Sequence, residues 1–280
     1  MKQFLQKLIP RLYGSYFNLT HLFSSSKAAD KALQVFSYPR KGRLNPDQEA
    51  YLSQARQQRI AFEDGLIKLY HWEGNGPFIL LLHGWESNAW RWKHLIEPLK
   101  KKNFNLIAID APAHGASDGK YFTAVKYSKV ITQVMELYEP PIVMAHSVGA
   151  MATIYQEATA QHEFLKKLVL LGGPNSLEVI MRSYQKMTGF NQRVYGSLND
   201  LLKETYDFKI EEFNSADFAS KIKVPTLLVH NPDDQVVPIE AFYQIKEKMP
   251  HAESFVSPTG GHSLHTPEVV DRVIEFLERS

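Results

Sequence analysis

The 280-residue chain is long for one small domain and short for two full ones, which favours one large domain with an insertion or extension. Hydrophobic residues make up 44% and charged residues 22%, so the chain can form a sizeable core, and extensive disorder is excluded. The lack of cysteine excludes disulfides, thiolate zinc sites and a cysteine nucleophile, and a net charge of +2 does not indicate nucleic-acid binding.

The first 60 residues differ from the rest in charge and pattern. They carry 10 Lys/Arg and 3 Asp/Glu, a net charge of +7, whereas the other 220 residues carry 22 and 27, a net of −5. Apolar pairs recur every four residues, at 4–5, 8–9, 12–13 and 16–17, with Lys2, Lys7 and Arg11 on the opposite side. We predict a basic helical extension over 1–60. Packing on its own domain is the favoured interpretation, and peripheral contact of residues 1–24 with a membrane surface is the alternative.

From residue 78 onward, short apolar runs alternate with segments of helical periodicity. The predicted strands are 78–82, 106–109, 142–145, 168–171, 226–229 and 254–256. The predicted helices are 88–102 and 123–138, with three more that begin near Val148, Ile239 and Pro267. Continuously apolar strands are covered on both faces, so we expect an α/β fold with a mostly parallel sheet flanked by helices.

The segment 175–215 lies between two strands and is too long for an ordinary connection. Its amphipathic helical pattern predicts a short helical cap inserted before the last strands. The expected organisation is therefore a helical extension over 1–60, a core over 61–174 and 216–280, and the cap over 175–215. We expect apolar cap residues to line a substrate pocket: Phe190, Tyr195, Leu198 and Tyr206.

Residues 145–149, Ala-His-Ser-Val-Gly, lie where a predicted buried strand meets a predicted helix. A strand that turns directly into a helix forces the turning residue into a strained conformation and requires small neighbours. The turn exposes the Ser147 hydroxyl beside a helix amino terminus, whose positive end favours a developing anion. This pattern is typical of a nucleophile elbow, with Ala145 in place of the usual first glycine. The alternative is a serine that only caps a helix.

A serine hydroxyl needs a base, and the base needs an acid to orient it. Gly260-Gly261-His262 follows the last predicted strand, and the glycines allow the backbone to bring an imidazole to the sheet edge. Two carboxylates, Asp233 and Asp234, follow the strand 226–229, at the end where sites of open α/β sheets form.

The order of serine, aspartate and histidine resembles the α/β-hydrolase superfamily, and the resemblance covers about residues 65–280. The segment 231–238, Asn-Pro-Asp-Asp-Gln-Val-Val-Pro, is similar to the family's G-x-x-D-x-V-x-P segment. That similarity implies Asp234 as the acid, with Asp233 as a turn residue. The Gly-Gly-His context implies His262 as the base, with His265 in a structural role.

Two further segments are similar to the same family. His83-Gly84-Trp85 is similar to its H-G-x segment, which implies an oxyanion hole formed by the backbone N–H groups of Trp85 and Val148. His83 itself is more plausible as a brace for this loop. Residues 110–117, Asp-Ala-Pro-Ala-His-Gly-Ala-Ser, are similar to the family's D-x-P-G-H-G-x-S turn, so Asp110 and His114 are expected to be structural.

The resemblance implies a serine hydrolase with a catalytic triad of Ser147, Asp234 and His262 that acts on a small molecule, most simply a carboxylic ester. Hydrolysis of a C–C bond, as in meta-cleavage product hydrolases, is the alternative on the same triad. A ligand-binding or receptor protein with little turnover is the alternative of another class. The pattern predicts no cofactor, no metal and no nucleic-acid partner, and a cytoplasmic location. It leaves the natural substrate and the oligomeric state open.

Overall fold

A computed structural model describes the backbone of residues 2–63 and 65–279, and the side chains from residue 8 onward with the same internal gap. The predicted apolar pair at 4–5 and the basic positions 2 and 7 therefore lie outside the described side chains. No helix of the described part combines the length and apolar character that crossing a membrane requires.

Eight strands form one sheet. They are β1 (Arg56–Phe62), β2 (Gly65–Trp72), β3 (Phe78–Leu82), β4 (Asn105–Ile109), β5 (Ile142–His146), β6 (Lys167–Leu171), β7 (Thr226–His230) and β8 (Glu253–Val256). Their order is β1-β2-β4-β3-β5-β6-β7-β8. β2 pairs antiparallel with β1 and β4, and every other pairing is parallel. Six parallel strands therefore end at one edge of the sheet, and this edge holds the candidate site.

Eleven α-helices are described along the chain. They are α1 (Lys2–Phe23), α2 (Ser25–Ser37), α3 (Pro46–Leu52), α4 (Lys93–Lys101), α5 (Ala124–Tyr138), α6 (Val148–Thr159), α7 (Leu177–Thr188), α8 (Gln192–Tyr206), α9 (Ser215–Ala219), α10 (Ile239–Lys248) and α11 (Pro267–Glu278). Short 3-10 helices cover Ala89–Trp92 and Ile210–Glu212.

The sheet separates two hydrophobic cores because successive residues of a strand face opposite sides. In β3, Leu80 and Leu82 belong to the core that includes residues of α5, α6 and α10, whereas Ile79 and Leu81 belong to the core with α4 and α11. Helices on both faces explain why the parallel strands are continuously apolar. The predicted fold class, a mostly parallel sheet flanked by helices, is confirmed.

The described chain divides into two compact units. The first contains the chain up to Tyr38 together with Ser176–Asn214, and the second contains Pro39–Asn175 and Ser215–Ser280. Residues 39–60, which we had expected in the helical extension, therefore belong to the second unit, where they contribute α3 and β1. β1 was missed because it is an edge strand whose sequence, Arg-Gln-Gln-Arg-Ile-Ala-Phe, lacks a continuous apolar run.

The first unit is a helical bundle with its own core. α1 and α2 pack on each other and on α7 and α8. Phe190, Tyr195 and Leu198 are at most 4% exposed and form this core with residues such as Phe17 and Tyr184, and Tyr206 packs against it. The apolar stripe of α8 is thus used for packing within the bundle, and a substrate pocket lined by these four residues stays a prediction.

Candidate active site

Ser147 occupies a strained turn between β5 and α6. Its φ of 55° and ψ of −128° lie in a region that non-glycine residues rarely adopt. Small residues surround the turn by necessity. A Cβ atom on Gly149 would lie 2.5 Å from the carbonyl oxygen of His83, and one on Gly84 would lie 2.7 Å from Cβ of Ser147. The backbones of the elbow and of the loop after β3 therefore approach each other as closely as glycine allows.

The structure brings together the serine, histidine and one aspartate singled out in the sequence. Nε2 of His262 lies 3.0 Å from Oγ of Ser147, and Nδ1 of His262 lies 2.7 Å from Oδ2 of Asp234. The three side chains come from the carboxyl ends of β5, β7 and β8 or the loops that follow them. In this arrangement the Nδ1–H group donates to the carboxylate, so Nε2 can accept the serine proton.

Asp234 is held as a buried carboxylate. Its side chain is fully buried, and Oδ1 accepts hydrogen bonds from the backbone N–H groups of Val236 and Val237, at 2.8 and 2.9 Å. Burial raises the pKa of Asp234, but the hydrogen bonds from His262 and the two N–H groups outweigh it, and the pKa lies below its usual value. Asp234 is therefore ionised at neutral pH and can orient the imidazole.

The competing residues lie elsewhere. Asp233 is exposed, and its backbone N–H donates to the side chain of Asn231, as in an Asx turn. His265 packs against His94, with ring centroids 3.9 Å apart and the rings tilted by 35°. The structure thus places Asp234 and His262, rather than Asp233 and His265, in hydrogen-bonding distance of the site.

Of the two expected oxyanion donors, Val148 directly follows Ser147 in the chain, and Trp85 lies in the loop after β3. Val148 is the first residue of α6, and Trp85 follows Gly84, whose Cα lies close to the serine side chain. Among the described residues, neither backbone N–H has a protein acceptor. The Trp85 ring packs on His114 and Phe122, with centroids 5.6 and 5.5 Å away.

His83 has the contacts expected of a brace. It is fully buried, its Nδ1–H donates to the carbonyl of Gly84 (2.7 Å), and its Nε2 accepts from the N–H of Ala111 (2.9 Å). Burial lowers the pKa of His83 well below its usual value, so the ring is neutral. A neutral ring with both nitrogens occupied fixes the loop after β3 to the loop after β4.

Asp110 and His114 likewise organise the turn after β4. The carboxylate of Asp110 accepts from the backbone N–H groups of Ala89 and Ala116, and from the hydroxyl of Tyr70. Burial raises the pKa of Asp110 to about 6. Nε2 of His114 accepts from the N–H of Glu86 at 3.0 Å. These contacts agree with a structural role for both residues.

Two buried side chains that the sequence did not single out hold the loop carrying His262. Nε2–H of His146 donates to the carbonyl of His262 (2.7 Å), and Nη2 of Arg91 donates to the carbonyl of Ser263 (3.0 Å). The next residue, Leu264, is fully buried with a φ of 56°. No spacing rule could have found these contacts, because they join segments more than 100 residues apart. The position of His146 beside Ser147 was the only available signal.

The fold and site define a class of protein: an α/β sheet with a serine–histidine–aspartate group at the carboxyl edge of its strands. Residues 79–276 match the family model described as Alpha/beta hydrolase family, and the chain belongs to that family.

Curated relatives of this chain include two named hydrolases. The 2-hydroxy-6-oxo-6-(2'-aminophenyl)hexa-2,4-dienoic acid hydrolase of Metapseudomonas resinovorans is 22% identical over 266 residues, covering 79% of this chain and 91% of the relative. The pimeloyl-[acyl-carrier protein] methyl ester esterase of Vibrio vulnificus is 25% identical over 146 residues, covering 51% of this chain and 54% of the relative. Among solved structures, an esterase of Pyrococcus furiosus shares the fold, with a TM-score of 0.65 and 22% identity over 87% of this chain and 97% of the esterase.

Proposed function

We propose that the chain is a serine hydrolase that cleaves a carboxylic ester, or a related acyl compound, of a small molecule through an acyl-enzyme. One observation carries the proposal. His262 bridges the hydroxyl of Ser147 at 3.0 Å and the buried carboxylate of Asp234 at 2.7 Å, with the serine held at a strained elbow. A structural serine would need neither this strain nor a buried carboxylate hydrogen-bonded to its histidine partner.

In the first half of the reaction, Oγ of Ser147 bonds to the substrate carbonyl carbon while Nε2 of His262 takes the hydroxyl proton. The carbonyl oxygen becomes an oxyanion. When the tetrahedral intermediate collapses, the bond to the alcohol breaks, and the leaving oxygen takes the proton back from His262. Asp234 keeps the imidazole in the required tautomer and stabilises the imidazolium that forms.

In the second half, water attacks the acyl carbon and His262 takes the proton of that water. The second intermediate collapses to the free acid, and Ser147 regains its proton. We assign the oxyanion in both halves to the backbone N–H groups of Trp85 and Val148, which have no other acceptor among the described residues. A donor of this kind typically contributes about 10²- to 10³-fold in rate.

The name of one relative supports acyl chemistry but does not identify the substrate of this chain. That relative is named an esterase, which agrees with ester cleavage by this chain. An ester also demands the least of the site beyond the triad and the oxyanion donors. Its leaving oxygen departs readily as an alcohol when His262 returns the proton.

The proposal is tested by steady-state hydrolysis of p-nitrophenyl esters of increasing acyl length, with wild type beside Ser147→Ala. We expect turnover in the wild type and a loss of about 10³-fold or more in Ser147→Ala. His265→Gln is the matched control for His262→Gln and should retain the wild-type rate. A folded wild type with no turnover, or a Ser147→Ala variant as active as wild type, would contradict the proposal. Fluorophosphonate labelling without turnover would favour the ligand-binding class instead.

Hydrolysis of a C–C bond is the second candidate function, because the name of one relative indicates this reaction. The compound in the name of the Metapseudomonas resinovorans hydrolase carries a 6-oxo group and no ester. Its hydrolysis beside the ketone would break a carbon–carbon bond. Loss of the visible absorbance of 2-hydroxy-6-oxo-6-phenylhexa-2,4-dienoate measures this activity directly. Turnover of this compound faster than any ester of the series would replace the ester proposal, and no turnover would remove the alternative.

A further inference from the structure

One side of α1 is an exposed apolar surface. The exposed fractions of its large apolar side chains range from 38% to 85%. These residues, which we call the α1 apolar face, are Leu8, Ile9, Leu12, Tyr13, Tyr16, Leu19, Leu22 and Phe23. At 100° per residue they fall on one half of the helix, so they form a continuous stripe rather than scattered positions.

The opposite side of α1 already makes the packing contacts of the helix. Phe17 is fully buried and contacts the edge of Phe190, with ring centroids 6.3 Å apart. A Cβ atom on Gly14 would lie 2.1 Å from the carbonyl oxygen of Thr188, so α1 approaches the end of α7 very closely. The helix is therefore anchored in its bundle through one side, and packing gives no reason for the apolar residues on the other. A stripe of this size on the surface marks an interaction site.

The chain segment that contains the α1 apolar face is basic. The first 29 residues contain four Lys/Arg and no Asp/Glu, and up to Tyr38 there are five Lys/Arg against one Asp. Arg11 and Lys27 are exposed. An exposed apolar helix face in a segment of net positive charge complements a layer of anionic headgroups over acyl chains.

We propose that α1 lies in the plane of an anionic phospholipid bilayer, with the α1 apolar face buried at the boundary between headgroups and acyl chains. Two helices of this composition would bring like charges together, so charge favours lipid over a second copy of the chain. No described helix is able to span a bilayer, so contact at the surface is the mode that fits. The proposal does not depend on the chemistry of Ser147.

The test is flotation of the full chain with vesicles of phosphatidylcholine mixed with phosphatidylglycerol, and with vesicles of phosphatidylcholine alone. We expect wild type to float with the anionic vesicles, and less so as salt screens the charges. The double substitution Leu12→Glu and Leu19→Glu should weaken binding by about ten-fold or more, because two apolar contacts are lost and two negative charges face the lipid.

Leu137→Glu is the matched control, since Leu137 is 54% exposed on α5, against 59% for Leu12 and 58% for Leu19. It should float like wild type. Thermal unfolding verifies that each variant is folded. Wild type that stays unbound with anionic vesicles, or equal loss of binding in Leu137→Glu, would overturn the proposal. So would a lipid-free dimer that the double substitution converts to a monomer, because it would assign the α1 apolar face to a second copy.

Discussion

At the residue scale, the geometry separates groups that are neighbours in the sequence. Asp233 and Asp234 differ by one position, yet one carboxylate is exposed in a turn and the other is buried against His262. The difference arises from the loop after β7, where two backbone N–H groups fix the orientation of Asp234. The carboxylate of Asp234 is therefore expected to orient His262, and that of Asp233 is expected to have no part in the reaction. A matched pair of substitutions can separate the two roles.

Asp234→Asn should reduce kcat/KM by about 10³- to 10⁴-fold, because the amide cannot stabilise the imidazolium and favours the wrong tautomer of His262. Asp233→Asn should stay within about two-fold of wild type, since it removes an exposed charge only. Ester hydrolysis by the two purified variants measures both. Equal losses in the two variants would show that the acid has been misassigned.

His146→Leu should lower kcat by about ten-fold with little change in KM. The substitution leaves the carbonyl of His262 without its buried donor, so the imidazole loses position while the substrate contacts remain. His251 is exposed, and His251→Leu serves as the control. A His146→Leu variant with wild-type kcat and a raised KM would mean that His146 acts in binding and not in positioning His262.

Site residues could be predicted from the sequence where the reaction requires a particular type of side chain at the end of a strand. Ser147 and His262 could be identified from small neighbours and flanking glycines, and the choice of Asp234 needed the family resemblance. Arg91 could not be identified, because its role is a hydrogen bond to a backbone carbonyl 172 residues away. Contacts to backbone leave no residue-specific pattern.

At the element scale, close packing around the elbow determines where side chains can be tolerated. A Cβ atom on Gly149 of α6 would lie only 2.5 Å from the carbonyl oxygen of His83, too close to be accommodated without movement. Gly196, inside α8, has no atom within 4 Å of the position that its Cβ would occupy. The two glycines therefore have opposite expected responses to alanine.

Gly149→Ala should lower the free energy of unfolding by about 1 to 3 kcal/mol, because backbone must shift to relieve the overlap. Gly196→Ala should raise it by about 0.5 to 1 kcal/mol, since alanine restricts the unfolded chain and favours the helix. Urea unfolding followed by circular dichroism measures both changes. A destabilised Gly196→Ala variant would contradict the packing described for α8.

Elements with strong apolar periodicity were predictable, and those without it were not. Five of the six parallel strands were expected from their continuous apolar runs, and β8 was expected from the short segment 254–256. β1 was not, because four of its seven residues have charged or amide side chains and it lies at the edge of the sheet. The helices of the first unit were expected as amphipathic, and the apolar stripe of α8 packs in the core of the bundle.

At the scale of the whole molecule, burial of many histidines makes stability depend on pH. Burial lowers the pKa of seven described histidines: His71, His83, His94, His114, His146, His230 and His265. The value for His94 is about 3 and that for His114 about 4. Below the usual pKa of about 6.5 the unfolded chain binds protons that the folded chain does not. The contribution of the neutral, buried histidines to the free energy of unfolding is therefore complete above about pH 6.5 and is lost as the pH falls toward about 4.

Asp110 works in the opposite direction, because its raised pKa of about 6 lets the folded chain hold an extra proton below that pH. Burial also raises the pKa of Glu157, but these two carboxyls offset only part of the effect of seven histidines. We expect the free energy of unfolding in urea to be smaller at about pH 5 than at about pH 7.5. His114→Gln should reduce that difference by about 2 kcal/mol. An unchanged difference in His114→Gln would show that this ring is already charged in the folded chain.

The division of the molecule into units was the feature least accessible from sequence. The first unit joins residues before Tyr38 with residues 176–214, so its core depends on contacts between segments separated by about half of the chain. Periodicity describes one helix at a time and contains no information on which helices meet. Composition marked the basic character of the first segment but not its partners.

The central claim is that His262 and Asp234 activate Ser147, and the site of covalent labelling tests it most directly. The folded protein is treated with a fluorophosphonate, and the modified residue is identified by mass spectrometry. We predict one adduct per chain, on Ser147, with none in Ser147→Ala and slower labelling in His262→Gln. An unlabelled wild type, or an adduct that persists on another residue in Ser147→Ala, would contradict the claim.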